Sequence, residues 1–364
     1  MIEALLIATL ATLLAFLSRF KKLRFLFPLS FIIITIFLSL GYEWGNDVHE
    51  YEYFFKQYTE SGYGLFDFSS YSDLSVKSEF GWVLINQLCE PLGFYGMRAV
   101  LFCIENYIIY RFISRNVTPK WLWLAVFVYT FNTDFMVLSS SMMRQWLSMC
   151  IIILGTEFIE KKKWLIYVLL VLIASSIHRS ALICLPLVFL PKLFKYELKS
   201  QALVLFIPVF FIYFIFSGFI VDYMSIFLRQ EDAYTNYMSA SDSTGLGIVN
   251  FIKLGVYLLV FRGCFSADKS KRLYMVIPLL FCLILPFYSV SAMSSRLTFY
   301  FTVFTICSFP LYLQRKNVSS FSSLFMTLAC MVLALYNLYV FVTNPMWMLN
   351  YGKFTTLFEA GILK

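Results

Sequence analysis

Residues 142–164 read MMRQWLSMCIIILGTEFIEKKKW, and this stretch decides the fold. The apolar segment 142–159 approaches the roughly 20 residues that cross a bilayer as a helix. Lys161, Lys162 and Lys163 close it, and a basic cluster at the end of an apolar span marks the cytoplasmic side. Arg144 and Gln145 open it on the opposite side. A charge kept in or beside a span costs about 2.5–3.5 kcal/mol, so Arg144 is a functional hypothesis by default.

The pattern repeats in both directions. Further apolar segments run over 4–17, 25–41, 94–113, 121–138, 164–177, 180–194, 201–221, 247–262, 273–291, 296–313 and 320–343. Together they predict an all-α integral membrane protein of about twelve transmembrane helices, within a range of about ten to fourteen. Several of these segments are short, and the tight connection at 176–180 predicts a helical hairpin that does not fully cross. Composition agrees: 364 residues, 60% hydrophobic, 20% aromatic and 14% charged. Forty-one Phe and 24 Tyr exceed what one water-soluble core can hide, which excludes soluble enzymes and nucleic-acid-binding modules. No internal repeat and no separate soluble domain is visible, so residues 1–364 read as a single polytopic membrane domain.

The net charge of +8 falls in short clusters between spans. Alternation puts those around 19–24, 111–120, 161–163, 192–199, 262–272 and 315–316 on the cytoplasmic face, as the positive-inside rule requires. Glu3 precedes the first span and Arg19, Lys21, Lys22 and Arg24 follow it, the reverse of a signal peptide, so this span is expected to stay as a helix with its N-terminus outside. Two long loops, 42–93 and 222–246, fall outside. Residues 42–80 of the first carry Glu43, Asp47, Glu50, Glu52, Glu60, Asp67, Asp73 and Glu79 against Lys56 and Lys77, and most of these acids read as solvating. Residues 80–91 are too short to span and predict an interfacial or re-entrant helix. The Ser/Gly-rich second loop reads as a flap. The eight cysteines are scattered, with neither CxxC nor a nearby His at metal-ligand spacing, so no metal site and no disulfide framework is expected.

The polar residues beside spans gather on the outer face of this topology. They are Asp47 and Tyr51, which share a face if that segment is helical; Arg144 and Gln145; His178 and Arg179 in SSIHRSAL; and Arg296 with Tyr300 one turn deeper. Cationic forks beside aromatic rings suit a lipid-linked anionic headgroup, since Arg holds phosphate oxygens in bidentate fashion. Arg98 and Arg229, taken singly, read as helix-end residues that snorkel to lipid phosphate. Glu105 is expected to pair inside the bundle, with Arg98 or Arg111.

In order along the chain, GNDVHEYEYF, SEFGWVLINQL, MMRQWLSMCIIILGTEFIEKKKW, ASSIHRSALICLPLVFL, SRLTFYF and NPMWMLNYGKF resemble the EpsG branch of the Wzy-type polysaccharide polymerases over nearly the full length. The resemblance implies a GT-C-like, metal-independent glycosyltransferase with no cofactor in the bacterial inner membrane, its active site facing the periplasm. It would join oligosaccharide repeat units carried on undecaprenyl pyrophosphate, with a separate chain-length regulator as a partner and no nucleic acid. Carried over by position, Asp47, Tyr51, Arg144, Gln145, His178, Ser180, Arg296 and Tyr300 match the family's patches. The C-terminal Pro-Tyr pairing departs from them: Asn344 and Pro345 are followed only later by Tyr351. Arg144 and Arg296 would stabilise the pyrophosphate leaving group. Either His178 or Asp47 would serve as the base. A membrane acyltransferase modifying surface glycans and a lipid-linked oligosaccharide flippase are the competing readings.

Overall fold

Helix after helix forms where the apolar segments lie. The computed structural model describes residues 1–60, 79–193, 213, 247–285, 296–315 and 318–363. The principal helices are α1 (Ile2–Leu17), α2 (Leu26–Leu40), α3 (Val48–Glu60), α4 (Phe80–Leu88), α5 (Gly93–Asn116), α6 (Leu122–Phe131), α7 (Met143–Glu160), α8 (Trp164–Ile177), α9 (Ile248–Cys264), α10 (Thr305–Leu313), α11 (Ser320–Thr343) and α12 (Pro345–Tyr351). Among the described residues, extended structure is confined to one antiparallel pair, Gly41–Tyr42 with Thr355–Thr356. The protein is therefore all-α. Among the described residues, three segments are long and apolar enough to cross a membrane, Lys21–Leu40, Glu90–Asn116 and Ser320–Thr343, and there are also shorter apolar helices. The expected span 201–221 (apart from residue 213) and the expected flap 222–246 lie outside the described residues.

Some expected spans break where polar or imino residues interrupt the helical ladder. The run 121–138 is α-helical only from Leu122 to Phe131. There the side chain of Asn132 accepts from the backbone of Asp134 at 3.2 Å, the local bond by which Asn favours a turn over helix. The segment after His178 is a 3₁₀ helix, Arg179–Phe189, with Pro186 inside it. Pro345 begins α12 at a position that needs no N–H, and the Asn344 side chain caps it from Met346 N at 3.0 Å.

The chain divides into two compact units, Met1–Leu185 with Thr327–Lys364, and Pro186–Met326. In the second, Tyr257 packs edge-on against Phe281 at 5.7 Å and Tyr274 stacks on Phe304 at 6.3 Å. The first unit holds α1 to α8. Its α3 buries Val48, Tyr51, Phe55 and Tyr58, a three-four-three spacing that puts one stripe on the core. That stripe meets Trp82 and Val83 of α4, Phe94, Met97 and Leu101 of α5, Met143 and Leu147 of α7, and Ile177 of α8. One apolar cluster thus ties together the ends of five helices.

The opposite ends of α5 and α7 are joined by charge. Glu157 accepts from Arg111 Nε at 3.2 Å and Nη2 at 3.0 Å, and also pairs with Arg115. This bidentate bridge sits at the helix ends that carry the basic clusters 111–120 and 161–163. It also takes Arg111 away from Glu105. Arg98 is engaged elsewhere too, so the expected partners of Glu105 are both occupied; that carboxyl lies buried beside Tyr129 and Cys150.

Candidate functional site

Arg144 lies in the first turn of α7, His178 directly follows α8, and Glu79 directly precedes α4. The core cluster brings these three helix ends together. Arg144 Nη1 donates to Glu79 Oε2 at 2.7 Å, a charge-assisted hydrogen bond. The other carboxylate oxygen, Oε1, stands 3.5 Å from His178 Nδ1, an ion-pair distance rather than an aligned hydrogen bond. It also accepts the backbone N–H of Arg179 at 3.3 Å. The guanidinium of Arg144 lies over the ring of Tyr51 at 6.0 Å, within cation–π range.

Glu79 is only 11% exposed. Burial alone would raise its carboxyl, but the contact with His178 and the charge of Arg144 outweigh it and hold the group at about 2, below its ordinary 4.5. A depressed carboxylate contributes stability that is full above its ordinary value and is lost as pH falls towards the folded value. The wild type is therefore expected to be more stable to heat than Glu79→Gln at pH 6, with the gap closing progressively between pH 4.5 and 2. Melting curves of the detergent-solubilised proteins check this.

Gly81 permits the approach of α4 to α8. A Cβ at this position would lie 2.4 Å from Ser176 Oγ and 2.9 Å from the Ser176 carbonyl carbon and oxygen. Since backbone cannot yield, Gly81→Ala is expected to push α4 away at a cost of about 1–3 kcal/mol. It would carry Glu79 with it, so a lowered melting temperature should accompany a weakened Arg144–Glu79 pair.

A second group of residues adjoins the first through Tyr51. The GND turn before α3 has Gly45 at φ +139°, a region that L side chains avoid, and a Cβ there would meet Ser140 O at 2.9 Å. This close passage lets Asn46 N donate to Ser141 Oγ at 2.7 Å. Ser141 Oγ lies 2.5 Å from Tyr351 Oη, which also donates to Val137 O at 3.1 Å. Burial raises the Tyr351 hydroxyl above its ordinary value; the Ser141 bond opposes the rise and the Asp47 carboxylate adds to it. Tyr51 is likewise raised by burial, against the charge of Arg144 and with that of Asp47. Asp47 therefore acts on both phenols.

Of the residues expected from sequence, Asp47, Tyr51, Arg144, His178 and Tyr351 gather at this end of the first unit. Gln145 is buried in α7 beside Arg144, and Ser180 lies in the 3₁₀ helix two residues beyond His178. Arg296 and Tyr300 belong to the second unit, where Arg296 is half-buried and Tyr300 fully buried. Two residues read otherwise in the sequence. Arg98 does not snorkel: it is 1% exposed, donates Nη1 to Gly41 O at 3.0 Å and packs on Phe94, Tyr95 and Phe102. Glu79 is not a solvating acid, and its position at the entrance to the apolar segment FGWVLINQL was the signal that set it apart from the rest of its loop.

Searches of curated proteins and of solved structures find no match to this chain. A family model does match, over residues 24–354 and so across nearly the whole length. The chain is therefore a membrane protein of polysaccharide biosynthesis that belongs to the EpsG family.

Proposed function

We propose that the protein is a polysaccharide polymerase of GT-C-like architecture. It would join oligosaccharide repeat units carried on undecaprenyl pyrophosphate, at the periplasmic face of a bacterial inner membrane and without a metal ion. The observation that carries this reading is the meeting of Arg144, His178, Glu79 and Tyr51. It lies at the end of α7 opposite to the Arg111–Glu157 bridge.

In this reading a hydroxyl of the acceptor sugar attacks the anomeric carbon of the donor. Its proton passes to a base, the bond from the anomeric carbon to the diphosphate oxygen breaks, and the electron pair leaves with the lipid diphosphate. Arg144 stabilises the charge that develops there, as a pre-organised donor in a site shielded from water. The sequence resemblance adds Arg296 as a second cation. His178 or Asp47 takes the proton. His178 is the stronger candidate, because a carboxylate facing Nδ1 favours the tautomer that leaves Nε2 free to accept. Tyr51 and Tyr351, with Gln145, Ser180 and the carboxylate of Asp47, supply rings and hydrogen-bonding groups for sugars and phosphate, and the sequence resemblance adds Tyr300. Chain length is set with a separate partner.

The surface glycan of cells lacking the protein separates this reading from the two others. A polymerase predicts glycans shortened to single repeat units with their O-acetyl content intact. Loss of O-acetyl groups at full chain length points to an acyltransferase. Lipid-linked units retained on the cytoplasmic leaflet point to a flippase.

A further inference from the structure

The carboxylate at the centre of the site is a charged group that the proposed chemistry leaves without a task. Glu79 approaches two functional side chains with two different oxygens, Arg144 Nη1 at 2.7 Å from Oε2 and His178 Nδ1 at 3.5 Å from Oε1. It is itself fixed from behind, by the backbone N–H of Arg179 at 3.3 Å and by the contact that Gly81 permits with Ser176. Arg144 has donor capacity in reserve, since its buried Nε finds no hydrogen-bond partner among the described residues. A guanidinium with one carboxylate partner and an idle donor can exchange that partner for a phosphate group, which offers more acceptor oxygens.

We propose that Glu79 is the positioning residue of this site: it holds Arg144 until the substrate's diphosphate displaces it, and orients His178 so that Nε2 faces the acceptor hydroxyl. The inference rests on the polymerase reading and deepens it by naming an internal anion that competes with the substrate's own. Two consequences pull in opposite directions. Without the carboxylate, Arg144 is free in the ground state and binds diphosphate more readily. Without it, the imidazole also loses the partner that sets its tautomer and orientation, and turnover suffers. A residue that merely braced the fold would lower the active fraction, and so the apparent kcat, in the His178→Ala background as much as in the wild type.

The test uses the full chain in nanodiscs with lipid-linked repeat units, comparing wild type, Glu79→Gln and Glu79→Asp, with melting curves alongside. The account predicts for Glu79→Gln a kcat lower by roughly 10–100-fold with KM unchanged or reduced, the signature of an interaction removed from the reacting state and not from binding. Glu79→Asp keeps the charge on a shorter arm, so it should recover part of the lost kcat. It also gives the readout if Glu79→Gln does not fold. Combining Glu79→Gln with His178→Ala should lower kcat no further than His178→Ala alone. Wild-type kcat and KM in both Glu79 variants, or a rise in KM equal to the fall in kcat, would overturn the role of Glu79 while leaving the polymerase reading intact. A wild-type protein that makes no polymer from bound substrate would remove both.

Discussion

Arg144→Ala is expected to lower polymer formation about a thousandfold, equivalent to about 4 kcal/mol of lost transition-state stabilisation. The reasoning starts from the leaving group. A diphosphate departing from an anomeric carbon carries several negative charges, and in this reading a guanidinium meets them where a divalent cation otherwise would. Arg144 fits because it is held in place before substrate arrives, by Glu79 at 2.7 Å and by the ring of Tyr51. Deleting it also leaves Glu79 as a largely buried carboxylate without its cation, which destabilises the fold. Turnover must therefore be measured on protein shown to be folded. Arg144→Lys separates the two effects: it restores a positive charge for Glu79 but not the planar fork, so stability should recover more than activity does. Wild-type turnover in a folded Arg144→Ala variant would exclude this residue from the site.

His178→Ala is expected to lower turnover by about 10²–10⁴-fold, the range attributable to a positioned general base. Substrate binding should survive, because Arg144 and Tyr51 remain. The imidazole sits where α8 gives way to the 3₁₀ helix Arg179–Phe189: the backbone of His178 turns extended while its N–H still closes the last turn of α8 on Ala174 O at 2.9 Å, and its ring is 27% exposed. That position suits a group that must both touch a buried carboxylate and reach a substrate. Single-turnover measurements on preformed complexes check the expectation. If His178→Ala retained turnover while Asp47→Ala lost it, the base would be Asp47, which already acts on the hydroxyls of Tyr51 and Tyr351.

Much of this arrangement was legible in the sequence, for a physical reason. Lys161 to Lys163 and the other basic clusters orient the helices, and orientation alone puts Arg144, His178, Asp47 and Tyr51 at one end before any contact is known. The three-four-three spacing of Val48, Tyr51, Phe55 and Tyr58 likewise announces α3 and its buried face. Tertiary pairing was not legible. Glu79 stands apart in the sequence only by its place directly before an apolar segment, and nothing local shows that the start of α4 meets the ends of α7 and α8. Arg98 looked like a snorkelling helix-end residue, because the carbonyl of Gly41 that captures it lies 57 residues away. Helical spacing offers Glu105 the partners Arg98 and Arg111, whereas Arg111 reaches across to Glu157 on a different helix. Helix ends were blurred for a similar reason. An apolar run does not reveal that Asn132 will bond its own backbone and end α6 at Phe131.

The most direct test of polymerase activity is a reconstituted reaction. Purified protein in nanodiscs would be given native lipid-linked repeat units in the presence of a chelator, and the products resolved by size. The account predicts a ladder of glycans growing by whole repeat units, undiminished by the chelator and absent with Arg144→Ala. A wild-type protein that binds the lipid-linked units yet returns them unextended would contradict it.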